Sequence, residues 1–244
     1  MKGVSIPEAP FFYLPNQSVS MSKELVDYLS SFLLDSRLEL FKKNLSLRTR
    51  YITVVLEDIF QSQNASAVIR SCDCFGIQDL HIIENDNKFS EYERVTRGSS
   101  QWVDFHYYNQ QQNNTLDAIQ KLRQQGYRIV ATSPHDSDID LHHFDLLQGK
   151  AAFIFGNEKR GISDVVKQNA DCFMKIPMYG FTESLNISVS VAIVAHYLSA
   201  QLRLLPVSWQ LTDEESTAVM LDWLKKTLKR SDLLVKKFHT QKVS

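Results

Sequence analysis

Three short stretches of the chain carry polar side chains of types that bind ligands or act in catalysis. Arginine, glutamate, asparagine and serine between them offer strong donors and acceptors of hydrogen bonds. Two of the stretches follow apolar runs and contain glycine, an arrangement typical of ligand sites in α/β proteins. We therefore take the region from Ala151 to Leu198, together with the earlier segment NASAVIRSCDCFG, as the candidate site. The residues in question are Asn64, Arg70, Asn157, Glu158, Ser184 and Asn186.

Each of these residues also has a purely structural interpretation. Asn64 could be the N-cap of the helix that follows it, and Arg70 could be a surface arginine on that helix. Glu158 could lie in a solvated turn, and Ser184 and Asn186 could cap the next long helix. Taken one at a time, none of the five decides between structure and function.

Several familiar cofactor motifs are missing from the sequence. No GxGxxG follows the first apolar run and no GxxxxGK[ST] occurs, so a dinucleotide or P-loop site has no support. Cys72, Cys74 and Cys172 are odd in number and lack metal-ligand spacing. We expect these thiols to be reduced and mostly buried, and predict neither a disulfide nor a metal site.

Strands alternating with helices are predicted from Tyr51 onwards. The run YITVVLE (51–57) is apolar enough for a buried strand, and the helical face of NASAVIRSCDCFG is stopped by Gly76. Such alternation favours a mostly parallel sheet with crossover helices. Further strands are predicted at 80–84, 102–108, 127–133, FIFGNE and CFMKIP, and further helices at 115–125, from Ser163 and at about 187–205.

The long helix at 187–205 is apolar nearly all round, which favours burial on more than one side. A subunit interface that includes Val191 and Ile193 would provide it. Residues 1–20 predict a loop or an arm, residues 22–41 one amphipathic helix, and Thr212 a capping box that opens a final helix.

Charge and hydropathy limit the possible partners and location of the protein. The chain has 244 residues, 43% of them hydrophobic, and a net charge of −1, which suits one main core with extensions. Basic residues cluster at Arg37–Arg50 and again from Lys225 to the end, where seven Lys/Arg face one acid. This pattern predicts contact with a polyanion, although an ordinary solvated helix face is the alternative. No apolar run reaches the length of a membrane span, and a cytoplasmic protein is expected.

Taken together, the motifs NASAVIRSCDCFG, AAFIFGNEKRGIS and IPMYGFTESLNISVSVAI resemble the three ordered motifs of the SPOUT-class RNA 2′-O-methyltransferases, the SpoU or TrmH family. The segment GSSQWVDF is similar to the tRNA guanosine-18 branch. The resemblance implies an α/β sheet with a deep C-terminal trefoil knot, a homodimer, and S-adenosylmethionine as cofactor. It places the knot loops around Ser133-Pro134, at 156–158 and at 178–186. The implied domains are an RNA-binding extension at 1–50, the methyltransferase domain at 51–205 and a basic helical extension at 206–244.

The resemblance also implies roles for individual residues. Arg70 would orient the ribose 2′-hydroxyl and stabilise the developing alkoxide, because a guanidinium does not readily give up its proton. It would be helped by Asn64, which holds the loop and Arg70 in place, and by Glu158, Ser184 and Asn186, which shape the pocket. The cofactor would be bound by Thr132, Ser133, Gly156, Asn157, Ile176, Met178, Leu185 and Asn186. RNA contacts are expected from Arg48, Arg50, Lys225, Lys226, Lys229 and Arg230.

The implied activity is methylation of the ribose 2′-oxygen in RNA, with guanosine 18 in the D-loop of tRNA as the first substrate. Two alternatives stay open at this point. One is a ribosomal RNA methyltransferase of the same class, and the other is a catalytically silent RNA-binding or dimerisation module that has kept the knot.

Overall fold

The chain forms two compact units. The computed structural model describes residues 17–89, 96, 98–133 and 139–243. One unit runs from Lys43 to Leu211, and the other combines the residues up to Lys42 with those from Thr212 onwards. Most of the two extensions implied at 1–50 and 206–244 therefore belongs to one unit, while residues 43–50 and 206–211 belong to the larger unit.

The larger unit is built on a parallel sheet. Within the described residues the sheet has seven strands in the order β3-β2-β1-β6-β4-β7-β5, and every pair of neighbours is parallel. This confirms the predicted α/β architecture. The strands are β1 (Ile52–Glu57), β2 (Asp79–Ile83), β3 (Asp104–Tyr108), β4 (Arg128–Thr132), β5 (Ile139–Asp140), β6 (Ala151–Phe155) and β7 (Cys172–Lys175).

The apolar runs of the sequence become the central strands. Every residue of β1 and of β6 is buried, as expected for strands that are covered by helices on both faces. Residues 134–138, which include the Pro134 of the first expected knot loop, lie outside the described residues.

Helices cover the sheet close to where the sequence predicted them. Gly76 ends α3 with φ 76°, a left-handed conformation that glycine adopts without steric cost. Ser163 caps α5, as its hydroxyl accepts a hydrogen bond from Val166 N. The helices of this unit are α3 (Ser62–Phe75), α4 (Asn114–Gln124), α5 (Asp164–Asn169) and α6 (Ile187–Leu202), with short 3₁₀ turns at Ser99–Gln101, Leu141–His143 and Leu146–Gln148.

The smaller unit is helical. It contains α1 (Gln17–Ser30), the first part of α2 (Asp35–Leu45), α7 (Asp213–Thr227) and α8 (Ser231–Val243). Aromatic contacts join its helices: Phe41 meets Trp223 edge to face with the ring centroids 5.7 Å apart, and Tyr28 contacts Phe238 at 5.3 Å.

Two helix predictions in this unit were wrong. Residues 22–41 form parts of two helices, because the chain turns between Ser30 and Asp35, where Phe32 N and Leu33 N donate to carbonyls three residues back. The capping box at Thr212 is confirmed, but the helix that it opens ends at Thr227. Arg230, with φ 58°, then precedes a further helix.

The helix α6 was predicted to lie at a subunit interface. Its apolar residues divide between a buried face and an exposed face. Val191 is fully buried in the core of its own chain, which corrects its expected place at an interface. Val189 and Ile193 are 45% and 36% exposed. An apolar face is therefore left open on this helix. No helix among the described residues is long and apolar enough to cross a membrane.

The three cysteines are free, but they differ in burial. Cys72 is buried, Cys172 is half-buried and Cys74 is exposed, so the expectation of mostly buried thiols was wrong for Cys74. Burial raises the pKa of Cys72 to about 12, which keeps this thiol protonated at neutral pH.

A charged cluster joins the beginnings of the first three strands. Arg50 pairs with Asp79 at 2.9 Å and with Asp104 at 2.6 Å, and His106 Nε2 lies 3.1 Å from Asp79 Oδ1. His81 is buried, stacks on His106 with the ring centroids 4.5 Å apart, and approaches Tyr108 Oη with its Nδ1 at 2.9 Å.

This cluster makes stability depend on pH. Burial, with the neighbouring charge of His106, lowers the pKa of His81 to about 3. Burial raises the pKa of Asp79, but the hydrogen bond from His106 and the charge of Arg50 outweigh it and bring that pKa to about 2. Below about pH 6.5, His81 therefore binds a proton more readily in the unfolded chain than in the folded one. Below about pH 3.8 the same holds for Asp79.

We expect the free energy of unfolding to fall as the pH is lowered from 6.5 to 4, with His81 contributing up to about 1.4 kcal/mol per pH unit. Urea titrations at several pH values measure this slope. His81→Gln should flatten it, and the same change at the exposed His143 should not. An unchanged slope in His81→Gln would contradict the assignment.

Candidate active site

A cavity of about 630 Å³ lies at the carboxyl ends of β4, β6 and β7. Ligand sites of parallel sheets are found at this edge, because the loops and helix starts there present free polar groups. Its volume falls in the range usual for small-molecule sites.

The cavity brings together eleven of the twelve residues that the sequence analysis assigned to catalysis and cofactor binding. They are contributed by α3, by the loops after β4, β6 and β7, and by the start of α6. The eleven are Asn64, Thr132, Ser133, Gly156, Asn157, Glu158, Ile176, Met178, Ser184, Leu185 and Asn186.

Three of these side chains form a continuous hydrogen-bonded network. Asn64 Nδ2 donates to Glu158 Oε1 at 3.0 Å, and Asn186 Nδ2 donates to Asn64 Oδ1 at 3.1 Å. Asn186 also caps α6, because its Oδ1 accepts from Ser188 N at 2.9 Å. Asn64 is the third residue of α3 and not its N-cap. Asn64 thus links the other two residues across the cavity wall.

Glu158 is held as a carboxylate. Burial raises its pKa, but hydrogen bonds from Asn64 and from the backbone N–H groups of Phe60 and Gln61 outweigh burial and lower it. The carboxylate therefore serves at neutral pH as a hydrogen-bond acceptor.

The loop after β6 is compact because of Gly156 and Asn157. A Cβ at Gly156 would lie 2.2 Å from the carbonyl carbon of Gly161, so only glycine fits. Asn157 and Gly161 exchange two backbone hydrogen bonds, and Asn157 Nδ2 donates to the carbonyl of Asp58 at 2.7 Å. This loop is thereby tied to the loop after β1.

Asp58 is a positioning residue that the sequence analysis missed. It has φ 58°, and its Oδ1 accepts from the backbone N–H groups of residues 85, 86 and 87 at 2.8–3.1 Å. An aspartate after a strand is too common a feature to have singled it out. Gln61, Lys159 and Arg160, which also line the cavity, were missed as well.

The segment before α6 forms an open wall of the cavity. Residues 179–186 are exposed, with Tyr179 and Phe181 almost fully accessible. Within the described part of the chain, the backbone N–H groups of residues 178–185 form no hydrogen bond with another backbone group. These donors are therefore available to a ligand.

Arg70 is the one residue assigned to catalysis or cofactor binding that does not line the cavity. It is exposed on α3, two turns beyond Asn64. Its distance from the cavity follows from the direction of α3, which runs away from that edge of the sheet.

The residues assigned to RNA binding fall into two groups. Lys225, Lys226, Lys229 and Arg230 are exposed on the helical unit, where phosphates could reach them. Arg48 is 4% exposed and pairs with Asp73, and Arg50 pairs with the two aspartates described above. Both guanidinium groups are engaged inside the fold, at the opposite edge of the sheet, which argues against direct contacts with RNA phosphates.

Three residues of the charged cluster could in principle offer metal ligands. The ligand atoms of Asp79, His81 and His106 lie within 4.8 Å of one another. Both oxygens of Asp79 are already occupied, by Arg50 and by His106. The cluster is therefore a hydrogen-bonded ion-pair network at the edge of the sheet away from the cavity.

Residues 51–196 match the model of the SpoU rRNA methylase family. This span includes β1 to β7 and the cavity with all its predicted residues. The chain belongs to the SpoU rRNA methylase family.

Several similar proteins have a more specific name than the family. The chain is 43% identical over 204 residues to a tRNA (guanosine(18)-2′-O)-methyltransferase of Borreliella burgdorferi, covering 84% of this chain and 91% of that protein. It is 30% identical over 179 residues to the protein of the same name from Thermus thermophilus, covering 72% and 89%. Its fold is similar to the crystal structure of the Aquifex aeolicus TrmH/SpoU tRNA modifying enzyme, with a TM-score of 0.69, 25% identity, and coverage of 80% and 98%.

Proposed function

We propose that the protein methylates the ribose 2′-oxygen of guanosine 18 in tRNA, using S-adenosylmethionine. The observation that carries the proposal is the convergence of eleven assigned residues, from segments up to 122 residues apart, in one cavity. The likeness to guanosine-18 methyltransferases over most of the chain supports tRNA as the substrate.

The residues present fit this cofactor. The cavity is large enough for a nucleoside-sized ligand, and the free backbone donors at 178–185 suit an adenine, whose ring nitrogens accept hydrogen bonds. Ile176, Met178 and Leu185 supply apolar contacts, while Gly156 lets the backbone approach closely. When bound, the cofactor supplies a methyl group on a sulfonium centre.

The chain's own residues would place the ribose and stabilise the attacking oxygen. Asn64 holds Glu158 and is itself held by Asn186, and the carboxylate can accept a hydrogen bond from a ribose hydroxyl. Ser184 offers a further hydroxyl at the wall. Fixing the hydroxyl in line with the transferred group converts the reaction into an effectively unimolecular step.

Arg70 would act at the 2′-oxygen from a second subunit. A guanidinium stays protonated, so its role is to orient the hydroxyl and stabilise the alkoxide while a phosphate oxygen accepts the proton. Because Arg70 lies outside the cavity of its own chain, the proposal requires a homodimer that brings it to the partner's cavity. The open apolar face with Val189 and Ile193 supports such an assembly.

Two further features belong to the proposal. The strand order, with β6 next to β1 and β7 beyond β4, is compatible with a deep trefoil knot formed by the loops around the cavity. The lysines Lys225, Lys226 and Lys229, with Arg230, would bind tRNA phosphates. A tRNA substrate is consistent with the expected cytoplasmic location.

The test is incubation of the protein with labelled S-adenosylmethionine and an RNA, followed by nucleoside analysis. The three RNAs compared are unmodified tRNA, the same tRNA with 2′-deoxyguanosine at position 18, and ribosomal RNA. Unmodified tRNA should gain 2′-O-methylguanosine, while the same tRNA with 2′-deoxyguanosine at position 18 should gain no label. Label in the deoxy control would place the reaction elsewhere, and a preference for ribosomal RNA would replace tRNA by the alternative substrate.

A further inference from the structure

An exposed aromatic ring lies beside the cavity and has no part in the site described above. Phe60 is 59% exposed in the loop between β1 and α3. The next residue, Gln61, lines the cavity. Leaving more than half of a phenylalanine side chain in water forgoes part of the stability that its full burial would contribute.

The loop that carries Phe60 is held rigidly. Its neighbour Ile59 is buried, and Asp58 is fixed by three backbone N–H groups in spite of its left-handed conformation. The backbone N–H of Phe60 itself donates to Glu158 Oε2 at 3.1 Å. The ring is therefore presented at a fixed place relative to the carboxylate in the site.

A cation accompanies the ring. Lys159 Nζ lies 5.2 Å from the centroid of the Phe60 ring, within the range of a cation–π interaction. Lys159 is exposed, and it also lines the cavity. A flat apolar surface next to a positive charge matches the two chemical parts of a nucleotide, because bases stack on aromatic rings and phosphates pair with lysine.

We propose that Phe60 and Lys159 form a stacking platform for a base of the RNA next to the reacting ribose, with Lys159 bound to the adjoining phosphate. This inference rests on the proposed function, since it names the part of the site that holds the RNA. The platform adds affinity for RNA without contributing to the chemical step or to cofactor binding.

The experiment measures equilibrium binding of unmodified tRNA by fluorescence anisotropy, alongside steady-state kinetics and calorimetric titration of S-adenosylmethionine. Phe60→Ala should weaken tRNA binding roughly 5- to 100-fold, the range that corresponds to the loss of one stacked base. Its KM for tRNA should rise in parallel, while kcat and cofactor affinity should stay at wild-type values. Phe60→Trp should bind tRNA as the wild type does, and Phe60→Leu should resemble Phe60→Ala because leucine lacks the flat ring.

Two controls separate stacking from other effects. Leu147 is also 59% exposed and does not line the cavity, so Leu147→Ala should leave tRNA binding unchanged. Lys159→Gln should lower the slope of log Kd against log salt concentration by about one, whereas Phe60→Ala should leave that slope as it is.

Wild-type affinity of Phe60→Ala for tRNA would overturn the inference. So would weaker binding accompanied by conversion to monomers in light scattering, because Phe60 would then be a contact between two copies of the chain. Failure of the proposed function looks different, since the wild-type protein would then transfer no methyl group to tRNA whatever the affinity of the Phe60 variants.

Discussion

Arg70→Ala should lower the rate of methyl transfer at saturating RNA and cofactor by at least about 10²-fold, because a donor that stabilises a developing oxyanion contributes about that much. Affinity for S-adenosylmethionine should be unchanged, since the proposed contact of Arg70 is with the ribose 2′-oxygen and not with the cofactor. Stopped assays with labelled cofactor and calorimetry measure the two quantities. Arg70→Lys should rescue little, because an ammonium cannot reproduce the planar fork of the guanidinium.

A matched control and a complementation assay make this prediction sharper. Gln63 is also exposed on α3, and Gln63→Ala should keep normal turnover. If Arg70 acts in the partner's cavity, dimers that combine an Arg70→Ala chain with a Leu185→Asp chain should regain one working site. Activity no higher than that of either variant alone would contradict action across the dimer, and near-normal turnover of Arg70→Ala would remove its catalytic role altogether.

Gly156→Ala should disrupt the site through the backbone. The added Cβ would meet backbone atoms of Gly161 and Ile162 at 2.2–2.3 Å, and these cannot move away as the end of a flexible side chain can. We expect the free energy of unfolding to fall by about 1–3 kcal/mol, the usual cost of overpacking. Because the same shift would displace Glu158 from Asn64, cofactor affinity should also fall by more than tenfold.

Gly180→Ala is the control for this change. A Cβ there has Thr182 N at 4.0 Å, an ordinary contact, so its urea denaturation curve should match that of the wild type. If Gly156→Ala melted and bound cofactor like the wild-type protein, the close approach of the two loops would not be required for the site.

Much of the local structure follows from interactions between residues close in the chain. The apolar runs at β1 and β6, the left-handed Gly76 after α3, the Ser163 cap and the Thr212 capping box are each formed within a few residues. Sequence patterns report such interactions directly. The order of the three motifs is also a property of the sequence alone, and their resemblance to a known family identified the cavity residues.

The helix-breaking turns were missed for a related reason. Near Ser31 the chain leaves the helix through a turn in which Phe32 N and Leu33 N donate to carbonyls three residues back, and no glycine or proline marks this turn in the sequence. The apolar periodicity of residues 22–41 continues across the break, so the pattern alone predicted one helix.

Only the tertiary structure decided which distant residues are in contact and in which direction each side chain points. Asn64 meets Glu158 across 94 residues, and Arg48 and Arg50 find aspartates 25 to 54 residues away. A buried ion pair and an exposed phosphate contact look the same in a sequence, because both need only an arginine. Arg70 and Val191 show the same limit: the residue types and spacing predicted their helices, but packing of those helices decided that Arg70 faces solvent and Val191 the core.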